Sequence, residues 1–123
     1  MAEEKVPHLS VSEFRGVSVV EFADRKILDE LSIAEIGDEL NTLVDKAKEA
    51  KFLLDFKNVE HLSSAALGML IKLNTKVTDK GGELKLAEIS PQIYEVFKIT
   101  QLNQIFQIHA TAGQAMTSFQ AGR

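Results

Sequence analysis

The chain has 123 residues, enough for one domain that buries a core without cross-links, and residues 1–123 are read as that single domain. With 45% hydrophobic and 26% charged residues it falls in the globular class, away from disordered or membrane-spanning chains, and the absence of cysteine excludes a disulfide framework and thiolate chemistry. A net charge of -4, with lysines scattered along helix ends, argues against a nucleic-acid partner, because phosphate binding needs a concentrated basic face.

The amino-terminal MAEEKVPHL lacks the apolar core of a signal peptide, and no stretch approaches the roughly 18 apolar residues that span a bilayer. A soluble, cytoplasmic protein without membrane insertion is expected. Leu9, Val11, Val17 and Val19 alternate with polar residues across Arg15-Gly16, which predicts a hairpin of strands near 8–14 and 17–23. A charged connection, residues 24–31, carries Asp24 and Asp29. Ser32-Ile33-Ala34-Glu35 then matches a capping box, so a first helix is predicted over 32–49, with Ile33, Ile36, Leu40, Leu43, Val44 and Ala47 on its buried face.

The chain's organising stretch runs from Phe52 to Leu86. Phe52-Leu53-Leu54 with Phe56 reads as a strand covered on both faces, since no polar alternation survives where neither face meets water. A short loop, KNVEHL, leads to a helix predicted over 64–80 that opens on Ser63-Ser64 and stops at Gly81-Gly82, and a second strand follows at 83–86. Such a strand-helix-strand unit places the loop and the helix amino terminus on one crevice, where sites in open α/β sheets tend to lie. Ser90-Pro91 starts a third helix with Ile93, Val96 and Phe97 inside, because proline at the first helical position gives up an amide that has no partner. Ile105, Phe106 and Ile108 read as a last strand, and Thr111 to Gln114 opens a terminal helix that buries Ala115, Met116 and Phe119. The predicted order is ββαβαβαβα: a mixed sheet of four or five strands with four helices, and no internal repeat or linker.

Candidate chemistry gathers at the second helix. Serines at a helix start are most often N-caps, which satisfy an orphan amide and contribute about 1 kcal/mol. A phosphate there would meet free amides and the positive end of the helix dipole, so the fold could carry it. Gly68 costs about 1 kcal/mol against Ala, which calls either for a close backbone approach or for tight helix–sheet packing. Asp55 ends an apolar strand and must reach water or an amide. His61 has no orienting partner for a serine nucleophile, so no catalytic residue is expected. His8, His61 and His109 lack the spacing of metal ligands, and no glycine-rich nucleotide loop is present; neither metal nor cofactor is expected.

The element order, with Leu54-Asp55-Phe56, Val59 and Leu62-Ser63-Ser64-Ala65-Ala66-Leu67-Gly68, resembles the STAS domain of bacterial anti-sigma factor antagonists, across essentially the whole chain. Val96 to Leu102, VFKITQL, is similar to that family's third helix and the approach to its last strand. The resemblance implies a STAS-type (SpoIIAA-like) α/β fold, with Ser64 rather than Ser63 as phosphoacceptor. Ser63 stands where the family usually has an aspartate and Ala66 where it has a glycine, while Asp29 falls where the family places an aspartate beside the phosphorylation site. The connection 24–31, residues 57–62 and the first turn at Ser64 converge on one crevice, and the partner surface expected there includes Asp29, Asp55, Glu60, His61, Leu62, Ser63, Ser64 and Leu67. The expected partners are an anti-sigma factor that is also a serine kinase and a PP2C-type phosphatase, with the protein itself a monomer or weak dimer. Two other readings stay open: a non-switching STAS subunit of a signalling scaffold or lipid-transport ATPase, and a small enzyme using the crevice.

Overall fold

The computed structural model describes residues 3–6 and 8–121, with side chains described over 8–119. In chain order the elements are β1 (Glu3–Val6), β2 (Leu9–Phe14), β3 (Val17–Phe22), β4 (Lys26–Ile27), α1 (Glu30–Lys46), β5 (Lys51–Asp55), β6 (His61–Leu62), α2 (Ser64–Asp79), β7 (Glu83–Ala87), α3 (Pro91–Ile99), β8 (Gln107–His109) and α4 (Ala112–Ala121). The main sheet runs β1-β2-β3-β5-β7-β8. Its first three strands pair antiparallel, and every pairing from β3 onward is parallel. The four helices and five strands expected from the sequence are all present, and β1 extends the sheet at its antiparallel edge. Three of the four residues in EEKV are charged, a composition without the apolar alternation that marks a strand in sequence.

The apolar run at 52–54 is the middle of the sheet, with β5 flanked by β3 and β7. Its side chains alternate between two cores. Phe52 and Leu54 join Val20, Phe22, Leu84 and Leu86 under α1, α2 and α3. Leu53 points the other way and packs with Val17, Ala87, Ala115 and Phe119 beneath α4. A helical layer on each face explains why residues 52–54 at the middle of β5 are apolar on both faces.

Local chemistry sets the helix ends and moves several of them from the predicted positions. α1 starts at Glu30, two residues before Ser32, because Asp29 in extended backbone (φ -89°, ψ 150°) takes the cap and accepts from the Ser32 amide at 2.9 Å. Ser32 is thus a donor to the cap, and Glu35 is engaged by His8. The helix ends at Lys46, short of residue 49, and Lys80 reaches over from the end of α2 to donate to the carbonyls of Val44 (2.6 Å) and Ala47 (3.2 Å). Gly82 is where the chain turns into β7, and a Cβ there would lie 2.1 Å from the Ala50 carbonyl oxygen, so only glycine fits. Ser90 and Pro91 open α3 as expected, and the Ser90 hydroxyl accepts from the Ile93 amide at 3.2 Å. Ile93 and Phe97 are buried, whereas Val96, expected inside, is exposed. The last strand falls at 107–109 instead of on Ile105 and Phe106. Those two residues follow a single 3-10 turn at Leu102–Gln104; Phe106 is buried there and Ile105 faces out.

Candidate functional site

Two helix amino termini lie side by side, brought there by a short parallel ribbon. β4 pairs with β6, with Lys26 opposite His61 and Ile27 opposite Leu62. The Ser63 amide donates to the Ile27 carbonyl at 3.1 Å, and the Glu60 amide donates to that of Arg25 at 2.7 Å. This ties the connection 24–31 to the loop 57–62 directly ahead of α2. α1 and α2 then run alongside each other in the same direction: Gly37 faces Met69, and Asp45 pairs with Lys76 at 2.9 Å. The capped start of α1 at Asp29 and that of α2 at Ser63 therefore share one edge of the molecule.

At that edge the two serines differ. Ser63 has extended backbone (φ -87°, ψ 168°), and its hydroxyl accepts from the Ala66 amide at 3.2 Å, which makes it the N-cap. Ser64 is the first helical residue. It is exposed, and no described residue bonds its hydroxyl. Its oxygen stands at the positive end of the α2 dipole, where an anion is favoured.

The expected partner residues divide into three groups. Glu60, His61, Leu62 and Leu67 share a groove of about 310 Å³ with Ile93 and Val96 of α3, next to the Ser64 turn. Leu67 forms its floor, only 6% exposed. Asp29 lies at the same edge, and the Ser32 amide that it caps holds its carboxyl below the ordinary aspartate value, so it is an anion at neutral pH. Asp55 is elsewhere. It shares the pleat face of Leu53, on the α4 side, and accepts from the Lys57 amide at 2.9 Å. Burial pushes its carboxyl up, the Lys57 amide opposes this, and the charges around it are Glu21, Lys57 and Glu88. Asp55 and the serine are close along the chain, which is why the sequence groups them; the alternation of a strand sends Asp55 to the opposite face.

The edge is also less acidic than the sequence suggests. Glu60 is paired with Arg25 at 2.8 Å, and Lys26 stands opposite His61. At Gly68 a Cβ would meet no atom within 4 Å, so neither the close approach nor the tight packing expected there is present, and the fold itself does not require a glycine. It lies in the shallow furrow between α1 and α2 with Ala34, Gly37, Ala65 and Lys72. The structure also exposes apolar side chains not singled out by residue for the partner surface: Leu28 and Leu31, within the connection 24–31, flank Asp29, and Val96 borders the groove. The signal for Leu28 and Leu31 in the sequence is that they are apolar residues in a charged connection, with no predicted helix face to absorb them. Among the described residues no group of three or more His, Asp or Glu is placed to hold a metal ion, and no helix is long and apolar enough to cross a membrane.

The family model described as the STAS domain matches residues 9–115. The chain belongs to the STAS domain family. Relatives within it include the anti-sigma-B factor antagonist of Bacillus subtilis, 29% identical over 83 residues, covering 68% of this chain and 74% of the relative. The anti-sigma F factor antagonist of Paenibacillus polymyxa is 20% identical over 112 residues, covering 91% and 94%. Among solved structures, a STAS domain protein from Planctomyces limnophilus superimposes with a TM-score of 0.80 at 19% identity, over 89% of this chain and 96% of that one. The phosphorylated form of the Bacillus cell fate determinant SpoIIAA does so with a TM-score of 0.68 at 15% identity, over 90% and 98%. At these identities the structural likeness is one of STAS fold.

Proposed function

We propose that this STAS protein is an anti-sigma factor antagonist that works by partner switching, with Ser64 as the switch. Unmodified, the Ser64 edge captures an anti-sigma factor that is also a serine kinase, and the sigma factor is freed. Phosphorylation of Ser64 by that kinase ends the complex, and a PP2C-type phosphatase restores it. The observation that carries this reading is the division of labour between neighbouring serines: Ser63 spends its oxygen on the Ala66 amide, while Ser64 presents an unbonded hydroxyl to solvent. Relatives named as anti-sigma factor antagonists support the partner class. Docking would use Asp29 with Leu28 and Leu31 on one side and the groove of Glu60, His61, Leu62 and Val96 on the other.

A phosphate on Ser64 adds about -1.5 to -2 charges to a surface complementary to a neutral hydroxyl. It would sit where helix amides and the dipole stabilise it, so the fold would persist while the interface would not. Incubation with the cognate kinase and ATP, followed by mapping of the modified residue, tests the assignment. Labelling at Ser64, abolished in Ser64→Ala and kept in Ser63→Gly, is expected; labelling of Ser63 moves the switch by one residue. The non-switching scaffold subunit is the second reading, favoured by Ser63 and Ala66 standing where the family usually has aspartate and glycine. It takes over when neither serine is labelled.

A further inference from the structure

His8 stands in the connection between β1 and β2, and its ring lies between carboxylates of two different elements. Nδ1 is 2.8 Å from Asp24 Oδ2, and Nε2 is 2.7 Å from Glu35 Oε1. A neutral imidazole has one N–H and one lone pair, and a lone pair has nothing to share with a carboxylate. Both contacts are hydrogen bonds only when both ring nitrogens carry protons. The His8 side chain is 13% exposed, while Asp24 and Glu35 are 27% and 49% exposed, so the ring is shielded on the Asp24 side and its contact with Glu35 lies at the surface. The residue is itself fixed, because its carbonyl accepts from the Ala23 amide at 2.9 Å.

The charged groups that face His8 are acidic on each element packed against it. Asp24 comes from the β3–β4 connection; Glu35 and Glu39 come from α1, with Asp29 acting from its cap. Glu39 has one buried carboxylate oxygen without a hydrogen-bond partner, and burial raises its pKa while His8 draws it back down. One imidazolium thus holds together carboxylates that would otherwise repel each other.

We propose that protonated His8 is a pH-sensitive clasp that fastens the segment 25–34 at both of its ends, through Asp24 before it and Glu35 after it. That segment carries Leu28, Asp29 and Leu31. The consequence for docking rests on the function proposed above, whereas the clasp itself does not. The hydrogen bond to Glu35, followed by that to Asp24 and opposed by partial burial, raises the folded-state pKa of His8 above the ordinary 6.5. A histidine raised on folding contributes stability that is fully present below its unfolded pKa and is lost as pH rises through the folded value. The clasp is therefore closed on the acid side of that value and opens above it, leaving Asp24, Glu35 and Glu39 without their shared cation.

The test needs no partner protein. Imidazole resonances of the full chain are followed by NMR from pH 5 to 10, with His61→Gln and His109→Gln used for assignment, alongside amide exchange of 25–34 corrected for intrinsic rates. His8 is expected to titrate above 6.5 and above His109, whose pKa burial and Lys85 lower. Protection of 25–34 should fall with the midpoint of His8. Glu35→Gln should move both midpoints down together, and Asp24→Asn should do the same where Glu35→Gln fails to fold. Titration of His8 at or below 6.5, or protection of 25–34 that ignores its midpoint, overturns the clasp. Either result leaves the Ser64 labelling untouched, so the two proposals fail separately.

Discussion

Replacing each of the neighbouring serines by alanine separates their roles. Ser63→Ala removes the acceptor of the Ala66 amide, leaving a partly buried donor at the start of α2 unpaired. Loss of a serine cap costs about 0.5–2 kcal/mol, typically about 1. For a domain of this length the unfolding entropy is roughly 0.26 kcal/mol per kelvin at about 2.1 cal/mol/K per residue, so the melting temperature should fall by about 4 °C. Ser64→Ala removes an exposed hydroxyl that bonds no described residue and places a strong helix former at the first helical position. Its melting temperature should stay within about 2 °C of the parent, since exposed substitutions usually cost under about 0.5 kcal/mol. Circular dichroism melts of both variants at pH 7, with glycine at 63 as a control that tolerates the cap backbone, measure the difference. A drop of several degrees in Ser64→Ala with none in Ser63→Ala would refute the assignment of cap and free hydroxyl.

Gly68→Ala should raise the melting temperature by roughly 4 °C, because a Cβ there meets nothing and alanine is about 1 kcal/mol better in a helix; Gly82→Ala should prevent or severely weaken folding against the Ala50 carbonyl. If Gly68→Ala also weakens partner binding, the open furrow is part of the docking face. Burial raises the Asp55 carboxyl in the folded state, so stability is lost as pH climbs from the ordinary aspartate value through the raised one; Asp55→Asn should be more stable than the parent at pH 7 and lose that dependence, read by denaturant melts at pH 4 and 7. The same variant should leave kinase binding unchanged, since Asp55 faces α4. Asp29→Asn should keep its melting temperature because asparagine caps as well as aspartate, while Asp29→Lys should lower it, so only the Asn variant isolates the role of this charge in binding.

Much of this fold is legible in the sequence because its strongest signals are local. The unbroken apolar run at 52–54 reads as an interior strand and Ser90-Pro91 as the start of a helix, and the structure has both. Short or charged strands leave no such pattern: β1 is mostly charged, and β4 and β6 are two residues each, yet this ribbon is what joins the two helix starts. The cap of α1 falls on Asp29 against the capping-box pattern at Ser32, because a single aspartate three residues earlier competes with that pattern and only the backbone angles decide between them. At the site, the choice of Ser64 over Ser63 comes from the family resemblance, and the structure makes Ser63 the cap and Ser64 the first helical residue. The place of Asp55 is not legible in the sequence, because proximity along the chain says nothing about which face of a sheet a side chain takes. The charge pairing of Glu60 with Arg25 and of His8 with Asp24 and Glu35 depends on contacts across 16 to 35 residues, beyond the reach of any local pattern.

The central claim is that the chemical state of one exposed hydroxyl decides whether this surface binds. Titration calorimetry of the cognate anti-sigma factor against unmodified protein and against protein carrying phosphate only on Ser64, with circular dichroism of both, tests it most directly. Removal of about 4 kcal/mol from binding, roughly a thousandfold loss of affinity, with superimposable spectra is the predicted result. Equal affinities for the two forms, with the fold intact in both, would contradict it.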